Sequence, residues 1–404
     1  MSTSLLYHGF GLRGYHHTAC VYVEGQVTFR VCQPRDRLRC ATCQSENVWS
    51  QGSILRTFQT VPIGSKPVQI EFSIPRVYCF ACQNVRQVKL SFADPRKSYT
   101  HAFERYALDL SRHMTIKDVA RHLHVSWDTI KAIQATSLKR RFGKPRLADL
   151  RLLAIDEIAV GKGHKYLTVV LNLVSGAVVF VGDGKGAEAL EPFWKRLRRS
   201  GAKIKAVATD MGKAYIQAVR ENLPKAVHVF DHFHVVKLFN EKLSNLRRQL
   251  YRESQADSER KLLKGTRWLL LKNPENLDTK RDEKQRLEQA LQVNKPLSIA
   301  YYLKEDLRQI WSQANKRTAR RVLQDWLKRA RASEIPMLVQ FASTLEDHQE
   351  GILNYYNYRI STGPLEGTNT KIQAMKRQAY GFRDMAFYKL KILAIHESQY
   401  ALVG

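Results

Sequence analysis

The sequence predicts a multidomain α+β protein: a β-rich front end, a short run of helices, and an α/β core interrupted by an all-helical insertion. Three observations carry this. Two CxxC pairs bracket a stretch rich in strand formers, and a set of capped helices begins just beyond Asp94-Pro95-Arg96. From Leu152, apolar runs with the two-residue period of strands alternate with amphipathic segments, until only helical pattern remains between Glu241 and Tyr358.

Charge narrows the partners. Lys and Arg number 66 against 37 Asp and Glu, a net +29 with a pI near 10.0. Solubility needs far less, so a polyanion is expected, nucleic acid before membrane. No apolar span is long enough to cross a bilayer, and no basic segment leads into an apolar core and cleavage site. The expected compartment is therefore the cytoplasm, and no membrane partner is expected. Six cysteines in 404 residues, four of them in CxxC pairs, fit a reducing compartment and metal binding better than a disulfide framework.

In chain order, residues 15–32 hold two β-rich runs meeting at Glu24-Gly25, which reads as a hairpin in a segment 1–39. Cys20 and Cys32 lie on those runs and read as small buried hydrophobes. Residues 40–95 read as a zinc ribbon. Cys40 and Cys43 precede the strand formers and Cys79 and Cys82 follow them, so four thiolates can close a tetrahedral, structural Zn2+ site. Residues 96–145 read as a helix-turn-helix. Thr115 and Ser126 cap successive helices, Val119, Ala120 and Leu123 form the apolar face, and His124-Val125 makes the turn. Trp127, Asp128 and Lys131, near the start of the last helix, are expected to face a DNA major groove, with Lys139, Arg140 and Arg141 adding positive charge.

Residues 146–240 begin with LLAIDEIAV, in which Asp156 sits inside an apolar strand. An unpaired carboxylate there is costly to bury, so a metal or another charge should compensate it. Turns at 161–163 and at Ser175-Gly176 link this strand to KYLTVVLNL and AVVFVGDG as an antiparallel meander. Strand IKAVATD then ends at Asp210 and strand AVHVFD at Asp231, each followed by a helix. Three antiparallel strands continued by two parallel ones describe a ribonuclease H-like fold, which makes Asp156 and Asp210 neighbours. The insertion, 241–358, carries a dense basic face in KRTARRVLQDWLKRAR, which suits either solvent or a DNA backbone. Residues 359–404 return to the core. Glu366 lies in a helix's first turn after Gly363-Pro364, and Asn369, Lys371, Lys376 and Arg377 follow it as candidate DNA contacts.

Asp156, Asp210 and Glu366 could together hold two Mg2+ or Mn2+ ions for phosphodiester displacement, Asp156 bridging both. Glu157, next along the strand, points to the opposite face and is a poorer candidate. Asp231 and His234 read by themselves as a helix N-cap with a packed histidine.

The motifs together resemble the DDE transposases of bacterial insertion sequences, in particular the family called ISL-three, over nearly the whole chain. The likeness rests on both CxxC pairs, on AIDEIAVGKGHKYLTVV around Asp156, and on ATDMGKAY around Asp210. It continues through DHFHVVK at Asp231, RWLLLKNPENL from Arg267, and GPLEGTNTKIQAMKRQAYGFR around Glu366. The resemblance implies that Asp156, Asp210 and Glu366 are the DDE triad and that the N-terminal modules bind the element's terminal inverted repeats. It also implies strand cleavage followed by strand transfer into target DNA, a bacterial protein held at the nucleoid by its substrate, and a structural or DNA-positioning role for the Asp231-x-x-His234 pair; because two ends must be held together, a homodimer on DNA is expected. Two positions depart from the family pattern: Thr362 stands where Asn is expected, and Gln373 where Lys is expected. Competing readings are a transposase-derived DNA-binding regulator and a ribonuclease H-like nuclease or resolvase without joining activity.

Overall fold

The computed structural model describes residues 4–161 and 163–396. It divides into two compact units, residues 1–144 with 374–404, and residues 145–373.

The first unit opens with α1 (Leu5–Phe10) and the hairpin β1 (His16–Val23) and β2 (Gln26–Cys32). Glu24 and Gly25, with φ of 50° and 79°, form its turn, the left-handed pair that a two-residue hairpin loop requires. The long ribbon β3 (Val48–Ile63) and β4 (Lys66–Cys79) follows, and β5 (Asn84–Gln87) adds to β4. β2 pairs with β4 in parallel, so the order is β1-β2-β4-β3. The hairpin segment and the ribbon thus share one sheet, and one core, in which Phe10, Phe29, Phe58, Phe72 and Phe92 pack together. The sequence separates them because a parallel pairing between distant strands leaves no local signal. Cys20 packs partly against this core, but Cys32, read from sequence as buried, is exposed.

A separate core holds α2 (His101–Leu110), α3 (Ile116–His122) and α4 (Trp127–Phe142). Thr100, Thr115 and Ser126 each accept a backbone N–H as N-caps. His124, at φ 52°, makes the turn between α3 and α4, and Val119, Ala120 and Leu123 are buried.

The second unit contains β6 (Leu152–Gly161), β7 (Lys165–Asn172), β8 (Val178–Asp183), α5 (Glu191–Ser200), β9 (Ala206–Thr209), α6 (Lys213–Asn222), β10 (Val227–Phe230) and α7 (His232–Glu253). Its sheet runs β10-β9-β6-β7-β8, antiparallel from β6 to β8 and parallel from β6 to β10. The turn read at 161–163 includes Lys162, which lies outside the described residues. Odd-numbered Leu153 and Ile155 of β6 pack with Phe193 and Trp194 of α5 and Val219 of α6. By the strand's period, even-numbered Asp156 belongs to the other face.

The helical block comprises α8 (Asp257–Gly265), α9 (Arg267–Leu271), α10 (Glu283–Val293), α11 (Lys295–Arg308), α12 (Lys316–Ala332), α13 (Pro336–Asp347) and α14 (Gln349–Leu353). Its core is continuous with Phe230 of β10 and with Val235 and Phe239 of α7. Gly351 allows this docking, since a Cβ there would lie 2.4 Å from the Phe230 ring. On α12, Arg329 pairs with Asp306 and Asp325, and Arg331 pairs with Glu346, so part of the basic face neutralises neighbouring helices.

α15 (Gly363–Gln378) ends where Tyr380 and Gly381 turn left-handed, and α16 (Met385–Leu393) follows. α16 does not return to the second unit. Phe387 and Ala394 join the helix-turn-helix core instead, because Asp384 caps α16 and also pairs with Lys131 of α4 at 2.8 Å.

Candidate active site

The register of the parallel strands sets the site. Ala154 pairs with Ala208, and Asp156 and Asp210 each lie two residues further along, so they stand at the same level on adjacent strands. Phe230 pairs with Thr209, which brings Asp231 level with Asp210 on the third strand. Three carboxylates thus gather at one level of three parallel strands, Asp156 midway along β6 and Asp210 and Asp231 just past the carboxyl ends of β9 and β10, where open α/β sheets place their sites.

Each is held differently. Asp156 Oδ1 accepts the Glu157 N–H at 2.8 Å, and Oδ2 accepts Asn369 Nδ2 at 2.9 Å. Burial pushes Asp156 up to about 6, and the charges of Asp210 and Glu157 act in the same direction. Asp210 Oδ1 accepts the Gly212 N–H at 2.9 Å. Asp231 is fully buried as the N-cap of α7. Its Oδ2 accepts the backbone N–H of His234 at 3.3 Å and lies 3.0 Å from His234 Nδ1, and its Oδ1 accepts the Thr362 N–H at 3.1 Å. The hydrogen bond to Asp231 raises the His234 pKa, and Asp156 and Asp210 add to the effect.

Glu366 arrives on α15. Thr362 accepts the Leu365 and Glu366 N–H groups through its carbonyl while its own N–H goes to Asp231, so one buried carboxylate fixes the starts of both α7 and α15. Asn369 bonds Asp156 and Gln373 Nε2 donates to the Ala159 carbonyl at 2.7 Å, so one face of α15 lies along β6. The two departures from the family pattern are therefore structural attachments here. Ligand atoms of Asp231, His234 and Glu366 lie within 4.8 Å of one another. Asp156, Asp210 and Glu366 form no such close set among the described residues, although His234 of the close set feels the charges of Asp156 and Asp210. Glu157 accepts the Tyr215 hydroxyl at 3.1 Å, on the α6 side.

At the other candidate centre, Cys43 Sγ lies 3.6 Å from Cys79 Sγ and Cys40 Sγ 3.9 Å from Cys82 Sγ. Four sulfurs at ~2.3 Å from a tetrahedral Zn2+ would be ~3.8 Å apart, and a disulfide needs ~2.05 Å. The separations match the first case. Gln44 and Gln83, each following a CxxC, both adopt positive φ, and each donates its N–H to the carbonyl of the first cysteine. Because β3 and β4 are antiparallel, both knuckles fall at the same end of the ribbon.

Among the DNA candidates, Trp127 is 46% exposed and Asp128, Lys139, Arg140, Arg141, Lys371 and Arg377 are exposed, with Lys376 half-buried in the last turn of α15. Lys131 does not present its charge as the sequence reading expects: besides the Asp384 pair, its ammonium lies over the Trp127 and Phe387 rings. Asn369 likewise turns to Asp156. Nothing in the local sequence signals either contact, since both partners come from distant elements.

Acidic side chains gathered at strand ends, in a chain that also carries a helix-turn-helix, define a DNA-processing enzyme. A transposase family model matches residues 153–392, and the helix-turn-helix domain of transposase family ISL3 matches residues 88–136. The chain belongs to this transposase family. It is 31% identical to the transposase for insertion sequence element IS1001 of Bordetella parapertussis, covering 88% of each chain. It is 29% identical to the transposase for insertion sequence element IS1557 of Mycobacterium tuberculosis, covering 94% of this chain and 91% of the relative. Among solved structures, the Drosophila P element transposase strand transfer complex aligns over 76% of this chain and 94% of its own, with 13% identity and a TM-score of 0.37. Among the described residues, no helix is long and apolar enough to cross a membrane.

Proposed function

We propose that this transposase cuts and joins DNA at the ends of its own insertion sequence with Asp156, Asp210 and Glu366 as the DDE set of a ribonuclease H-like core. The observation that carries the reading is the strand register that levels Asp156 with Asp210, with α15 attached across β6 through Asn369 and Gln373.

The donor set fits hard divalent cations. It is built of carboxylate oxygens, and burial makes the Asp156 carboxylate costly to ionise, a cost that a bound cation removes. Asp156 and Asp210 would hold one Mg2+ or Mn2+, and Asp156 with Glu366 a second. When bound, the ions supply Lewis-acid activation of an attacking oxygen and charge stabilisation of the leaving one. Asp231 positions Glu366 through Thr362, and its bond to His234 orients that imidazole toward the carboxylates. Asn369 holds Asp156 in one rotamer. Water attacks the phosphorus at the element end and the P–O3′ bond breaks, leaving a 5′-phosphate and a free 3′-hydroxyl; that hydroxyl then attacks a target phosphorus, and the target strand's own 3′-oxygen leaves.

In this reading the Cys40, Cys43, Cys79 and Cys82 centre holds a structural Zn2+, and its module acts with the helix-turn-helix to bind the terminal inverted repeats. Trp127 and Asp128 meet the major groove, and Lys139, Arg140, Arg141, Lys371, Lys376 and Arg377 meet phosphates. Two ends must be held together, so the working form is a homodimer on DNA, in the bacterial cytoplasm at the nucleoid. The test is to incubate the full-length protein with Mg2+ and DNA flanking its own gene, then map the cuts. Cuts confined to the element boundaries support the reading; cuts scattered through the DNA would overturn it.

A further inference from the structure

A cavity of about 990 Å3 opens in the second unit between α7, α9, the end of α11 and the turn that carries Trp311, with Glu366 on its wall. Its size lies at the upper end of the ~300–1,000 Å3 range of pockets that enclose a small ligand, far too small for a duplex. Aromatic rings gather on one side. The His232 ring centroid is 4.0 Å from Phe233, 5.8 Å from Trp311 and 6.0 Å from Tyr355. Lys237 and Arg267 also line the cavity and give it positive charge.

Stacking faces and cations, next to a carboxylate of the cleavage site, suit one kind of occupant. We infer that this cavity receives unpaired nucleotides of the DNA strand at the cleaved end. Their bases stack on the rings around Trp311 and their phosphates meet Lys237 and Arg267. The inference rests on reading Asp156, Asp210 and Glu366 as the cleavage site. It also gives the helical insertion a function, which is to hold a strand that has left the duplex.

The test measures binding of a fluorescein-labelled single-stranded oligothymidylate, and of a duplex of the same length, to the full-length protein. Trp311→Ala should weaken single-strand binding about tenfold, the scale of one lost base–aromatic stack, and leave duplex binding unchanged. Trp311→Phe should keep most of the single-strand affinity, and Lys237→Ala should lower it and reduce its salt dependence. Single-strand affinity unchanged in both Trp311→Ala and Lys237→Ala, or equal losses on single strand and duplex, would overturn the inference. The cleavage reading fails separately: a protein that needs Trp311 for single-strand binding but never cuts element ends would contradict that reading alone.

Discussion

At the scale of single residues, the environment of Asp156 makes a pH prediction. Burial raises its pKa from 3.8 to about 6, so below that pH the carboxyl is protonated and cannot hold a cation. Metal-dependent cleavage should therefore fall as pH drops through about 6, measured as initial rate against pH at fixed Mg2+. The sign for stability is opposite. A carboxyl with a raised folded-state pKa favours the protonated fold, so its contribution is lost as pH rises from about 4 to about 6. It costs up to about 3 kcal/mol at pH 7 without metal. Asp156→Asn should accordingly abolish cleavage while raising the denaturant midpoint of the metal-free protein at neutral pH. Gly212 makes a second prediction, since a Cβ there would lie 2.9 Å from Asp210 Oδ1. Gly212→Ala should displace that carboxylate and lower cleavage by about a hundredfold, the cost of misplacing a reacting group by about an ångström, with little change in melting temperature.

At the scale of elements, the knuckles and the α15 attachment behave as units. A strong chelator, or Cys43→Ser, should remove zinc and loosen the end of the β3–β4 ribbon. The check is faster amide exchange at Val48–Ser50 and Val77–Cys79, which pair beside the site, with α15 unaffected. Elements with local signals were legible in the sequence: the Glu24-Gly25 turn, the Thr115 and Ser126 caps, the CxxC pairs, and the strand–helix alternation that places Asp156 and Asp210. The parallel pairing of β2 with β4 and the docking of α16 on α4 were not, because they depend on distant segments. Asp231 shows the same limit. Its sequence context signals the cap of α7, whereas its second bond, to Thr362 at the start of α15, comes from a segment 131 residues away and leaves no local signal.

At the scale of the whole molecule, a net charge of +29 fits a transposase, and its distribution decides what the charge does. Lys131, Arg329 and Arg331 are tied to internal carboxylates, whereas Lys139 and Arg140 end α4 exposed with Arg141 beside them. Replacing these last three by Ala should weaken duplex binding across sequences and reduce the slope of log affinity against log salt by roughly 2–3, read from titrations at several salt concentrations. Lys131→Ala should instead lower the melting temperature. The central claim is that Asp156, Asp210 and Glu366 act together in DNA joining. Its most direct test is strand transfer of a pre-cleaved element end into target DNA by the wild type and by Asp156→Ala, Asp210→Ala and Glu366→Ala, each first shown to bind that end normally. The account predicts joined products for the wild type and none for any variant; joining that survives any one of the three substitutions would contradict it.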